Sequence, residues 1–236
     1  MHTLGVLVEH ELKLLVRNKR LVWSHVLAML GGFALFAESV HRGRLALAIP
    51  FFLIMLLVPT LGAPAAIGVH MFVGEKERRT MEPLLLLPVP LRTLLGAKFV
   101  TMLAVSFAEL VVVLFGEVAA LRTWGSPTLY ALAVNSTTLY IAGLLLPLLG
   151  VFIGLLVLIV SARATNTQSA TQMIMFVMLI PMMSLITVVT TYGGLNAITW
   201  RSLEVGTGAL AILNLLAYGI ARRGLTPAAL IRKRGQ

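Results

Sequence analysis

Residues 74–93 read GEKERRTMEPLLLLPVPLRT and separate two long apolar stretches of the chain. The first half of this segment is densely charged, and the second half is a leucine run between prolines. A charged segment between two apolar stretches must lie in water beside a membrane. Its leucines cannot face water on every side, so the segment indicates a partner or a lipid surface that covers them.

The composition is typical of a helical membrane protein. The 236 residues are 58% hydrophobic and 12% charged, whereas soluble domains carry about 25% charged residues. Several apolar stretches exceed the ~20 residues that cross a bilayer. The net charge of +10 does not indicate nucleic-acid binding, because the basic residues cluster between these stretches. Without cysteine there are no disulfides or thiolate metal sites, and we expect no metal and no cleavable signal.

We expect an all-α membrane protein with six transmembrane helices after an amphipathic, interfacial elbow helix at residues 1–20. In that helix Leu4 and Val8 fall on one face, while Glu9 and Lys13 fall on another. The predicted spans are 21–37, 45–73, 94–121, 129–160, 169–192 and 203–221. They form a transmembrane domain over residues 21–221, followed by a basic cytoplasmic tail at 222–236.

The distribution of lysine and arginine predicts the orientation. Most of the 19 basic residues lie before the first predicted span, after the even-numbered spans or in the tail. The positive-inside rule therefore predicts that both termini, and the segment at 74–93, are cytoplasmic.

Within the segment, Thr80 is a predicted N-cap, with Glu82 and Pro83 in the first turn of a short apolar helix. Leu84 and Leu85 belong to that helix, and Pro88 ends it. Such a helix either dips into the bilayer or binds in a groove of another protein. The charged residues before it, among them Glu75, Glu77 and Arg79, could surround the contact.

These residues carry a resemblance to a known family. The run from Glu75 to Leu85, the prolines that follow, and the later Gly96-Ala-Lys98 are similar to the hallmark pattern of ABC type-2 transporter permeases. That pattern has glycine where this chain has Arg79, and an adjacent Gly-Lys pair where this chain inserts Ala97. The six spans and the turn at 161–168 match as well.

The resemblance implies a permease subunit, without enzyme activity of its own, whose segment at 74–93 couples to a separate ABC ATPase. The chain has no G-x-x-x-x-G-K-[ST] phosphate loop, so ATP and magnesium would bind to that partner. The family implies two ATPase copies and two permease chains, identical or homologous, in a bacterial or archaeal cytoplasmic membrane. The resemblance favours export, and the sequence does not identify the transported substrate.

Polar residues inside the spans mark a candidate translocation path. Glu109 falls near the centre of the third span, Glu117 lies two turns further out, and Asn135 could match its depth. Ionisable groups at such depth often mark pathways, although they can also serve only to join helices. Gly150 and Gly154 form a spacing that permits close helix packing.

Two other classes of protein compete with a transporter. A membrane-embedded enzyme would need a cluster of nucleophile, base or metal ligands, and the predicted spans offer none. His25 and His70 fall near inner span ends, where histidines usually act as anchors. The second alternative is a non-transporting membrane subunit of an ATPase-driven mechanochemical or regulatory complex.

Overall fold

The computed structural model describes residues 2–78, 80, 89–164, 166–191 and 199–224, and nearly all of them are helical. The described part of the chain contains no strand, which confirms the all-α prediction. The helices are α1 (His2–Arg17), α2 (Lys19–His41), α3 (Leu45–Leu57), α4 (Ala63–Glu77), α5 (Leu91–Trp124), α6 (Pro127–Ala133), α7 (Ser136–Tyr140), α8 (Leu146–Arg163), α9 (Thr167–Thr191) and α10 (Trp200–Gly224).

Five segments within the described ranges are long and apolar enough to cross a membrane. They are Lys19–His41, Phe51–Glu77, Leu91–Trp124, Pro127–Arg163 and Trp200–Gly224. They coincide with the predicted first, second, third, fourth and sixth spans. The predicted fifth span falls on α9, a helix of 25 residues that is not among these five. The chain is therefore a multi-pass membrane protein, and the count of six stays a prediction.

The second span lies at the centre of the bundle. In its most apolar stretch 72% of the residues are buried within the chain, against 6% for the first span. Small residues allow this central position, because they let neighbouring backbones approach closely. Gly68 is the clearest case: a Cβ there would lie 2.6 Å from both Met102 Sδ of α5 and Val157 Cγ1 of α8.

Prolines in the spans are accommodated by wider helical turns. A π-helical turn at Val58–Gly62 joins α3 to α4 around Pro59, and another at Ile141–Leu145 precedes Pro147. Proline has no amide hydrogen to donate, so a regular α-turn would leave a carbonyl without its partner. Both spans thus stay helical through these turns.

The fourth span differs from its prediction, because its N-terminal part is broken at Asn135. This side chain caps α7 by accepting from the Thr138 amide at 2.8 Å, and it donates to the Leu132 carbonyl of α6 at 3.0 Å. An asparagine that bonds to the backbone on both sides competes with a continuous helix. The predicted span at 129–160 therefore contains two short helices before α8.

Gly150 and Gly154 both lie on the face of α8 that packs against α5. A Cβ at Gly154 would lie 2.6 Å from Met102 Cε and 2.9 Å from Phe99 Cε2. At Gly150 the nearest atoms, Phe107 Cε1 and the Thr60 carbonyl oxygen, would be 3.5 Å away. The approach of the two helices is thus closest at Gly154.

We predict that Gly154→Leu lowers the free energy of unfolding by about 1–3 kcal/mol, because the side chain must displace Met102 and Phe99. The matched control is Gly143→Leu in the same span, where a Cβ meets nothing within 4 Å. Unfolding of both variants in detergent would be followed by circular dichroism. Equal stability of the two variants would contradict the packing described at Gly154.

Candidate functional site

The last turn of α4 connects the second span to four other helices. Glu75, Lys76 and Glu77 are consecutive, so their side chains leave the helix about 100° apart. Glu75 bonds to Lys98 of α5, and Lys76 donates to the carbonyls of Ala162 and Ala164 at the end of α8 (3.5 and 3.2 Å). Glu77 accepts from the Thr167 amide at the start of α9 (3.2 Å). We call these three residues the α4 junction.

Lys98 is the most buried charge at this junction. Its side chain is 0% exposed, and its Nζ donates to Glu11 of α1 at 2.7 Å and to Glu75 of α4 at 2.6 Å. Glu11 is itself only 5% exposed. One ammonium thus joins three helices, and we call Lys98, Glu11 and Glu75 the ion triad.

The chemistry of the ion triad makes it sensitive to the loss of any member. A buried lysine has three donors and needs acceptors for them, and a buried carboxylate needs a cation or donors. The second oxygen of Glu75, Oε2, is buried and has no hydrogen-bond partner among the described residues. Because two carboxylates share one ammonium, removal of Lys98 would leave both acidic groups without their cation.

A second connection links α4 to the break between α1 and α2. Asn18 caps α2 by accepting from the Leu21 amide at 3.3 Å, and its Nδ2 hydrogen-bonds to His70 Nε2 at 2.6 Å. The oxygen and the nitrogen of the Asn18 side-chain amide therefore each form a hydrogen bond. His70, expected as an anchor near the inner end of its span, orients the start of α2 in this structure.

The predicted coupling residues are only partly within the described ranges. Thr80 is described, and both its amide (3.0 Å) and its hydroxyl (3.2 Å) donate to the Glu75 carbonyl, so it closes the end of α4. Its predicted role as an N-cap concerns a helix outside the described residues. Arg79, Glu82, Pro83, Leu84, Leu85 and Pro88 also lie outside the described residues.

The three candidate path residues lie in different environments. Glu109 Oε1 is 3.8 Å from His25 Nδ1 of α2, so this carboxyl faces a partner on a neighbouring helix. Glu117 is 0% exposed, and neither of its oxygens has a hydrogen-bond partner in the part of the chain that the structure describes. Asn135 bonds to the backbone at the α6–α7 break. In the part of the chain that the structure describes, these three side chains do not form one cluster.

Sequence reasoning missed Glu11 and the partners of Lys98. Glu11 lies one turn before Leu15 on the buried face of α1, so helical spacing was a signal that could have found it. In the sequence, Lys98 stands out only as a basic residue and as part of the family pattern. Its position among buried neighbours, Leu94, Leu95 and Met102, was the signal that it needs an internal partner.

A family model described as ABC-2 family transporter protein matches residues 33–196, more than half of the chain. The chain belongs to the ABC-2 transporter family. It is thus a permease-type membrane subunit, and this family implies an ABC ATPase as partner and a lipid bilayer as its environment. The α4 junction lies inside the matched region, as do α5 and α8. No curated protein matches the chain.

We predict that Lys98→Met destabilises this ABC-2 permease by about 3–5 kcal/mol, because two buried carboxylates lose their cation. The matched control is Lys13→Met, which removes a lysine paired with Glu9 at the exposed surface of α1. We expect little change there, since solvent screens that pair. Denaturant unfolding in detergent micelles would measure the stability of both variants. Equal stability of Lys98→Met and Lys13→Met would contradict the structural role of the ion triad.

Proposed function

We propose that this ABC-2 permease is an exporter subunit that converts ATP hydrolysis by a separate ATPase into movement of a substrate across the membrane. The proposal rests chiefly on the α4 junction. The junction contacts α5, α8 and α9, and through Lys98 also α1, and it forms the start of the segment at 74–93 that resembles the family's coupling region. A displacement of that segment would therefore act directly on four helices.

The coupling contact in this proposal is made by the apolar residues after Thr80. Leu84 and Leu85 would bind in a groove of the ATPase, with Glu82 and Arg79 at the edge of the contact. Glu75 and Glu77 would hold the membrane end of the segment rigid. Docking and transmission of force are thus assigned to different residues, and substitutions can separate them.

The assembly that fits this function has two ATPase copies, which bind ATP and magnesium, and two permease chains, identical or homologous. We propose six membrane crossings, with α9 as the fifth, and both termini in the cytoplasm of a bacterial or archaeal cell. The cytoplasmic side is supported by the basic residues around α1 and at the ends of α4, α8 and α10. The elbow helix of this arrangement is α1.

Glu109 is the strongest candidate for a residue of the translocation path. It is partly exposed, and its carboxyl is close to His25 without a tight hydrogen bond, so a substrate group could replace that contact. Glu117 and Asn135 are weaker candidates, because Glu117 is enclosed by the chain and Asn135 is occupied by backbone bonds. They would reach a substrate only after the helices move.

The enclosure of Glu117 is also what favours the second candidate function. A non-transporting, ATPase-driven mechanochemical or regulatory subunit would need the α4 junction but no polar path through the membrane. In such a protein Glu109 and Glu117 would serve only to hold α5 in place. Measured transport by the assembled complex separates the two functions.

The test uses the tagged permease coexpressed with a candidate ABC ATPase from the same source genome. We predict that the triple variant Glu82→Ala, Leu84→Ala, Leu85→Ala no longer copurifies the ATPase, because the docking surface is lost. In contrast, Glu75→Gln should keep the ATPase bound while permease-stimulated ATP hydrolysis in proteoliposomes falls. In the transport assay with a known cargo, Glu109→Gln should lower the rate.

The matched control is Glu204→Ala, Leu215→Ala, Leu216→Ala, three residues of the same types that are exposed on α10. It should keep both ATPase binding and stimulation. If the Glu82 triple variant still bound and stimulated the ATPase, the assignment of the segment as the coupling element would be wrong. If Glu109→Gln left the transport rate unchanged, Glu109 would not belong to the translocation path.

A further inference from the structure

A cavity of about 720 Å³ lies between the end of α1 and the end of α4. Its wall includes Arg17, in the last turn of α1, and Arg78, directly after α4. Asn18 and His70, hydrogen-bonded to each other, form another part of the wall. The cavity is thus built by the α1–α2 break and the α4 junction, well separated along the chain from Glu109 and Glu117.

The charge that this cavity offers to a ligand is positive. Arg17 and Arg78 are both exposed, and neither guanidinium forms an ion pair with any residue that the structure describes. Glu11 and Glu75 also line the cavity, but both bond to Lys98, which lies behind them. Glu11 is 5% exposed, and the Glu75 side chain is 19% exposed with its Oε1 bonded to Lys98, so most of the accessible charge comes from the two exposed arginines.

The rest of the wall is apolar. Leu14, Leu15 and Met71 line the cavity, and Leu14 is 46% exposed. A free inorganic anion would gain nothing from such a wall, whereas a lipid can place its glycerol and upper acyl carbons there. Arginine is suited to phosphate because its planar group can donate two parallel hydrogen bonds.

We propose that this cavity binds the headgroup of an anionic phospholipid, with its phosphate between Arg17 and Arg78. The lipid comes from the membrane leaflet on the same side as the start of α1, and its acyl chains extend past Leu14. The bound phosphate connects the end of α1 to Arg78, which belongs to the segment at 74–93. The site is independent of the coupling proposal, because it requires no ATPase.

The test uses the full chain purified in detergent and titrated with phosphatidylglycerol, with bound lipid counted by native mass spectrometry. We expect the double variant Arg17→Gln, Arg78→Gln to bind phosphatidylglycerol at least about tenfold more weakly, since it loses charge-assisted hydrogen bonds to the phosphate. Phosphatidylcholine serves as the zwitterionic comparison and should bind more weakly to the unaltered chain.

The matched control is Arg20→Gln, an exposed arginine of α2 outside the cavity wall, which should bind phosphatidylglycerol within about twofold of the unaltered chain because its guanidinium is away from the site. If the double variant did not fold, the single variants and Arg17→Lys, Arg78→Lys would be compared instead. The single Gln variants should weaken binding, and the lysine variant should bind better than the Gln variants.

Two results would overturn the proposal. The first is equal phosphatidylglycerol binding by the unaltered chain and the Gln variants. The second is displacement of the lipid by millimolar inorganic phosphate or glycerol phosphate, which would make the cavity a site for a free phosphate compound. Persistence of lipid binding in the presence of both competitors, together with its loss in the Gln variants, supports the lipid site.

Discussion

The arrangement of α1, α4 and α5 at one end of the bundle depends on one buried ammonium group. Lys98 is fully enclosed and bonds to two carboxylates, one from α1 and one from α4. A buried charge without partners costs several kcal/mol, so α1, α4 and α5 must come together in the one arrangement that brings these groups into contact. Apolar contacts alone would not impose such a specific register, because lipid tails are as apolar as leucine. The ion triad thus defines where α1 binds to the bundle.

The α4 junction extends this constraint to the rest of the membrane domain. Lys76 reaches the last carbonyls of α8, where the helix dipole favours a cation, and Glu77 accepts from the first amide of α9, where it favours an anion. A family whose members use a separate ATPase needs one place where an applied displacement enters the spans. In the proposed function the Glu-Lys-Glu sequence would be that place, because three consecutive residues contact three different helices and the ion triad adds a fourth. The cavity between Arg17 and Arg78 lies beside the same junction.

Much of this fold follows from the sequence, because a bilayer leaves few choices to a long apolar segment. The positions of the helices and the family pattern around Glu75 could be read directly. The inward position of Glu11 was missed although its helical spacing to Leu15 indicates it, because a charged residue of α1 was expected on the polar face. The pairing of Lys98 with Glu11 joins residues 87 positions apart, which periodicity cannot predict. The break at Asn135 was also missed, because the short polar run at 135–138 lies within a much longer apolar stretch that favours a continuous span.

The most direct test of the ion triad is a double-mutant cycle on Lys98→Met and Glu75→Gln, with the free energy of unfolding in detergent as the readout. If the two groups stabilise the fold through each other, the double variant should cost less than the sum of the single variants by at least about 1 kcal/mol. Glu9→Gln combined with Lys98→Met provides the control, since Glu9 bonds to Lys13 instead. Additive effects of Lys98→Met and Glu75→Gln would contradict the account.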